Sequence, residues 1–171
     1  MSPIVIRRMQ AGDASLLQAA FARQGWRKEL STLEGYYADQ CAGRRQVWVA
    51  ADGDVPLGYL TVLWRGEEGP FAGQGLPLIA DFNVFLPYQR HGIGSLLMDR
   101  AEQSAFARAD RVTLGVGLHS GYGAAQRMYA QRGYLPDGSG AWWRDKPLAQ
   151  YAPCENDDDL VLYLYKDKPA G

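Results

Sequence analysis

The chain has 171 residues, 47% of them hydrophobic, which is enough for one well-filled core and predicts a single domain over residues 1–171. Its formal charge of −1, with both signs interspersed, argues against the basic field that dominates duplex nucleic-acid binding. No run approaches the roughly 18 apolar residues of a membrane helix, and Cys41 and Cys154 stand alone without a ligand cluster. The expectation is a soluble, unprocessed cytoplasmic protein with no disulfide framework, no metal, and neither nucleic acid nor membrane as partner.

Along the chain, Ile4–Arg8 reads as a short strand. Asp13 is expected to cap a helix whose Leu16, Leu17, Ala20 and Phe21 share one stripe at helical spacing. Thr32 is a weaker cap for a second helix presenting Leu33, Tyr37 and Cys41 on one face. Gln46–Ala51, the turn Asp52-Gly53-Asp54 and Leu57–Trp64 form an antiparallel hairpin. The stretch Arg65–Pro77, with four glycines and two prolines, is a loop. An apolar strand Leu78–Leu86, a glycine turn, a helix from about Gly92 to Ala107 and a strand Val112–Leu118 make a βαβ unit, which requires a parallel pair. A helix Tyr122–Arg132 closed by Gly133 follows, then short strands near Tyr134 and at Leu160–Tyr165. The fold class is mixed α/β with an antiparallel first half.

The turn Gln89-Arg90-His91-Gly92-Ile93-Gly94-Ser95 joins a strand to the first turn of a helix. A helix N-terminus carries unpaired N–H groups and roughly half a positive charge, so an anion placed there gains hydrogen bonds and field. Gly92 and Gly94 lack Cβ atoms and admit a pyrophosphate close to the backbone, while Arg90 and His91 add charge or donors. On residues alone two readings stay open, this anion cradle or a merely tight turn. The lysine-bearing phosphate loop and the dinucleotide fingerprint are both absent.

These residues resemble the GNAT N-acetyltransferase superfamily. Its signature Q/R-x-x-G-x-G/A is matched by Gln89, Gly92 and Gly94, and its later element A-x-x-x-Y-x-x-x-G-[FY] by Ala125, Tyr129, Gly133 and Tyr134. The resemblance implies a mixed, largely antiparallel sheet of about six to seven strands, with a central parallel pair splayed in a V and about four flanking helices. It also implies acetyl-CoA as co-substrate, with Gln89, Arg90, His91, Gly92, Ile93, Gly94 and Ser95 around the pyrophosphate. The backbone of Asn83, Val84 and Phe85 would lie at a bulge on the fourth strand and supply the oxyanion donor. Many members carry asparagine three residues before the motif alanine; here that place belongs to Tyr122, which joins the expected cofactor contacts without that amide.

Amine acylation needs a base, because a lysine-like amine with a pKa of about 10.4 is almost wholly protonated at neutral pH. Asp81 shares its strand face with Asn83 and Phe85 by period-2 spacing and is the candidate base, directly or through water, although a carboxylate closing hydrogen bonds near a strand end is as ordinary. His119 is a substitute base. Tyr129 matches the tyrosine that in many members protonates the leaving thiolate; the alternative is a core aromatic.

The resemblance places the acceptor near Tyr36 and Tyr37 and near the stretch Asp137–Asp145, with Trp142 and Trp143 in a glycine-rich loop. Glu67, Glu68 and the run Asp157-Asp158-Asp159 either attract a cation or are solvated surface. The expected function is acetyl transfer to a primary amine of a small molecule (a polyamine, an amino sugar such as an aminoglycoside, an amino acid) or of a peptide, by a monomer or homodimer. The alternative is an acyl-CoA sensor without turnover.

Overall fold

The computed structural model describes residues 2–171, with eight strands and four α-helices in two compact units. The first unit comprises residues 1–64 and 79–104, the second residues 65–78 and 105–171. The architecture is mixed α/β, with mostly antiparallel strands and one parallel pair.

In the first unit, β1 (Val5–Arg8), β2 (Arg45–Asp52), β3 (Val55–Leu63) and β4 (Leu78–Val84) lie side by side in that order. The expected hairpin forms between β2 and β3, with a register shift at Ala50/Ala51. Helices α1 (Asp13–Arg23) and α2 (Leu30–Cys41) cover the sheet, and most of α3 (Ile93–Phe106) belongs to this unit. The core gathers Leu17, Phe21, Leu33, Val47, Val49, Tyr59 and Phe85. Phe21 meets Phe85 edge-on at 5.0 Å and Tyr59 at 6.0 Å, each such pair adding about 0.5–1.5 kcal/mol beyond the buried area.

Both α1 and α2 depart in detail from the sequence pattern. Asp13 does not cap α1 from outside; Gly12 is the N-cap, and Asp13 sits in the first turn, buried against Arg7 and the Gln10 N–H. Leu16 faces solvent, because the buried stripe runs through Ala14, Leu17, Ala20 and Phe21, one step round the helix. In α2 the cap is Glu29 rather than Thr32, and of the expected face only Leu33 is buried while Cys41 is exposed. The place of a buried apolar residue is taken by Gln40, whose amide donates to Met9 O and accepts from Gln46 and the Val47 N–H. A satisfied amide is tolerated where an unpaired one is costly.

In the second unit the order is β5 (Arg111–Gly117), β8 (Leu160–Asp167), β6 (Leu135–Trp143) and β7 (Lys146–Pro147), with α4 (Gly123–Gln131). The stretch expected as a loop, Asp137–Asp145, is strand as far as Trp143. Trp142 and Trp143 pair with Val161 and Leu160 on β8, and the glycines produce only a register shift between Pro136 and Ala141. Gly138 and Gly140, both at positive φ, absorb the extra residues without ending the strand. The turn itself falls at Arg144 and Asp145, which adopt φ 51° and 60° and join β6 to the two-residue β7.

Candidate active site

Asp81 interrupts β4 with a left-handed backbone at φ 49°. Such a conformation in a non-glycine residue costs on the order of 1–3 kcal/mol and persists only where neighbours hold it. Here they hold the carboxylate. Its Oδ2 accepts from Lys28 Nζ, the Tyr36 hydroxyl and the Tyr59 hydroxyl, each at 2.7 Å, and Oδ1 accepts from Asn83 Nδ2 at 3.0 Å. Tyr36 stands on α2, Tyr59 on β3 and Lys28 on the segment between α1 and α2. The Tyr59 phenol is pushed well above its ordinary pKa by burial and by the Asp81 charge, so it enters the cluster as a donor.

Of the expected acceptor residues, Tyr36 is therefore brought to Asp81, whereas Tyr37 interacts with Cys41 one helical turn on, and that contact raises its pKa. Lys28 and Tyr59 were not among the expected site residues. Tyr59 lies on a strand face by period 2, but nothing in the sequence marks Lys28, which sits in a non-helical segment.

After β4 the chain makes a short 3-10 turn (Leu86–Tyr88) and enters α3 at Ile93. The predicted strand end at Leu86 is too long, because the Phe85 N–H bonds to Leu57 O and Pro87 then turns the backbone. That bond corrects one expectation: the Phe85 N–H is committed to β3 and is no oxyanion donor, and its side chain is a core ring. Asn83 and Val84 remain as backbone candidates. Gln89 Nε2 donates to Val84 O at 3.0 Å, and His91 Nδ1 lies 3.2 Å from Tyr88 O, so both side chains shape the turn. Gln24 Oε1 receives the Leu86 N–H at 3.0 Å and ties the turn to the end of α1.

Arg90 and Gly92 take φ 64° and 79°, and the space where a Gly92 Cβ would stand is open. The Leu96 N–H bonds Gly92 O, which makes Gly92 the last carbonyl before the helix. The N–H groups of its opening turn accordingly have no acceptor within the helix. Gln89, Arg90, His91, Gly92 and Ser95 are exposed, while Ile93 is buried and anchors the turn. An exposed helix opening with unpaired N–H groups is of the kind a diphosphate fits.

In the second unit, Tyr129 on α4 is buried beside Tyr134, with ring centroids 5.7 Å apart. Burial drives its phenol pKa well above the ordinary value, so it stays protonated at any working pH. The Tyr122 ring packs on Gly117, where a Cβ would fall 2.3 Å from it, and its hydroxyl donates to Asp158 Oδ1 at 3.1 Å. His119 Nε2 lies 2.7 Å from the same oxygen, and its Nδ1 accepts the Gly121 N–H. Both ring nitrogens are thus engaged in this loop, which weighs against His119 as the substitute base. The hydrogen bond from His119 holds the Asp158 carboxyl below its usual range.

Trp142 lines a groove of about 280 Å³ with Glu68, Asp145, Asp158 and Tyr163. Burial, with Glu68 and Asp145, pushes the Tyr163 phenol up to about 12. Trp143 does not line it; its indole N–H bonds Asp157 at 3.2 Å. The acidic run is therefore partly consumed by internal bonds. Among the described residues no group of three or more His, Cys, Asp or Glu could hold a metal, and no helix is long and apolar enough to cross a membrane.

The model of the acetyltransferase (GNAT) family matches residues 14–134. The chain belongs to the GNAT acetyltransferase family. N-acetyl transfer is the activity this membership assigns. No curated protein matches the chain. Solved GNAT structures match its fold over nearly full length. An N-acetyltransferase from Staphylococcus aureus Mu50 has a TM-score of 0.72 at 15% identity, covering 97% of this chain and 99% of its own. A Salmonella typhimurium protein solved with its cofactor acetyl-CoA has a TM-score of 0.69 at 17% identity, covering 99% and 96%. Mutant forms of the spermidine/spermine N-acetyltransferase from Vibrio cholerae have a TM-score of 0.64 at 14% identity, covering 97% and 95%.

Proposed function

We propose that this GNAT chain works as one catalytic domain that transfers acetyl from acetyl-CoA to a primary amine of a small molecule or peptide, by direct attack in a ternary complex. The observation that carries the reading is the exposed opening turn of α3, reached through Arg90 and Gly92 at positive φ with open space at Gly92. The N–H groups of Gly92, Ile93, Gly94 and Ser95 would hold the pyrophosphate, with Arg90 and His91 beside it. When bound, acetyl-CoA supplies a thioester, an acyl carbon already activated toward amines.

The remaining chemistry falls to the chain. Asn83 and Val84 offer backbone donors to the developing oxyanion. Asp81 takes the proton that the ammonium must lose before the neutral amine attacks, and Tyr129, kept neutral by burial, gives a proton to the departing thiolate. Tyr36, bonded to Asp81, lines the approach of the amine, as the structural kinship with a spermidine/spermine acetyltransferase supports for polyamine-like acceptors.

The sensor alternative is favoured by one observation, that Asp81 Oδ2 already accepts three donors. Thiol release decides between them. Incubation with acetyl-CoA and a panel of amines should liberate CoA thiol in step with N-acetylated product; tight CoA binding without thiol release from any amine would establish the sensor instead.

A further inference from the structure

The Asp81 carboxylate has three partners on regular elements and one on a connecting segment. Tyr36 and Tyr59 donate from α2 and β3, and Asn83 donates from β4 itself. The fourth partner, Lys28, comes from the non-helical segment between α1 and α2. Its Nζ is 2.7 Å from Asp81 Oδ2 and lies 5.8 Å from the Phe21 ring centroid and 5.9 Å from that of Tyr36. A carboxylate on one side and two aromatic rings on the others is the recognition chemistry of an alkylammonium ion.

The pair is not sealed. The side chains of Lys28 and Asp81 are 23% and 20% exposed, so water reaches the pair. The carboxylate has other supports besides Lys28, a left-handed backbone and two phenols.

We propose that Asp81, Tyr36, Tyr59 and Phe21 form a seat for the ammonium of an unbranched primary alkylamine, and that Lys28 is its internal occupant, which such an amine must displace. The class follows from what the seat already accommodates, an ammonium carried on a methylene chain. That this amine is the acceptor rests on the transferase reading above; its binding does not. An occupant that fills the seat nine-tenths of the time lowers apparent affinity about tenfold, and its removal restores that factor.

The test uses the full chain without acetyl-CoA, titrated calorimetrically with n-butylammonium. Lys28→Met and Lys28→Gln should each bind about tenfold more tightly than the unaltered chain, and Lys28→Met combined with Asp81→Asn should lose that binding. Cyclohexylammonium, branched at the carbon next to nitrogen, should gain less. Two substitutions of different polarity, both checked for an unchanged melting transition, keep a folding defect from imitating the answer. Equal or weaker n-butylammonium affinity in both Lys28 variants, no binding to either, or binding that survives Asp81→Asn overturns the seat. Because turnover plays no part, a silent thiol-release assay sinks the transferase reading alone, and a flat titration sinks the seat alone.

Discussion

The hydroxyl of Tyr59 donates to Asp81 Oδ2 at 2.7 Å from a side chain with no exposed surface, coupling the centre of the first unit's core to the one charged group on β4. A hydrogen bond to an ionised carboxylate is worth more than a neutral one, about 1.5–3 kcal/mol. Tyr59→Phe should lower unfolding stability by about that amount in urea titration and also slow acetyl transfer. Unchanged stability would mean that Lys28 and Tyr36 suffice to hold the carboxylate.

Gly117 on β5 is required by Tyr122. A Cβ there would sit 2.3 Å from the ring, with no room to relax short of moving the tyrosine off Asp158. Gly117→Ala should cost about 1–3 kcal/mol, as overpacking usually does. In the double variant with Tyr122→Ala the clash is absent, so the two costs should fall short of additive. Strict additivity in a double-mutant cycle would contradict the packing described.

Acid should weaken the loop that carries Asp158. Its folded pKa is depressed, chiefly by the hydrogen bond from His119, so the bonded carboxylate stabilises the native state above its unfolded value of about 3.9. That contribution disappears as pH falls through the lower folded value. Melting temperature followed from pH 6 to pH 2 should drop below about pH 4, and Asp158→Asn should flatten that limb relative to the unaltered chain.

These relationships differ in how far the sequence discloses them. The hairpin β2–β3, the glycine turn into α3 and the closure of α4 at Gly133 rest on neighbours a few residues apart, and periodicity and turn chemistry reveal them. The Asp81 cluster joins residues 22, 45 and 53 positions away, and no local pattern marks Lys28 as a partner. The start of β6 follows the strand expected near Tyr134, but its continuation to Trp143 was hidden for a different reason. Gly138 and Gly140 read as a loop, yet here they occupy a break within a strand whose far end pairs with β8. The Phe85 N–H was likewise assigned by analogy, while its real acceptor, Leu57 O, depends on the β3–β4 register.

Tyr129→Phe separates binding from chemistry. The substitution keeps the buried ring and removes the hydroxyl, so CoA affinity should hold while kcat falls about 10²-fold, the lower range for loss of a general acid. An unchanged kcat would assign Tyr129 to the core alone.

The cradle at the start of α3 is probed by Gly92→Val. Gly92 has φ 79°, and the space at its Cβ position is open, so a valine there would fill the proposed approach of the pyrophosphate. CoA binding by calorimetry should fall below detection, with the rest of the fold intact by circular dichroism. Undiminished affinity would remove this turn from the site.

The most direct measurement is a crystal structure of the chain with coenzyme A. Pyrophosphate oxygens should lie within hydrogen-bond distance of the backbone N–H groups between Gly92 and Ser95, at about 2.7–3.2 Å. A complex in which the diphosphate lies elsewhere, with that opening turn bare, contradicts it.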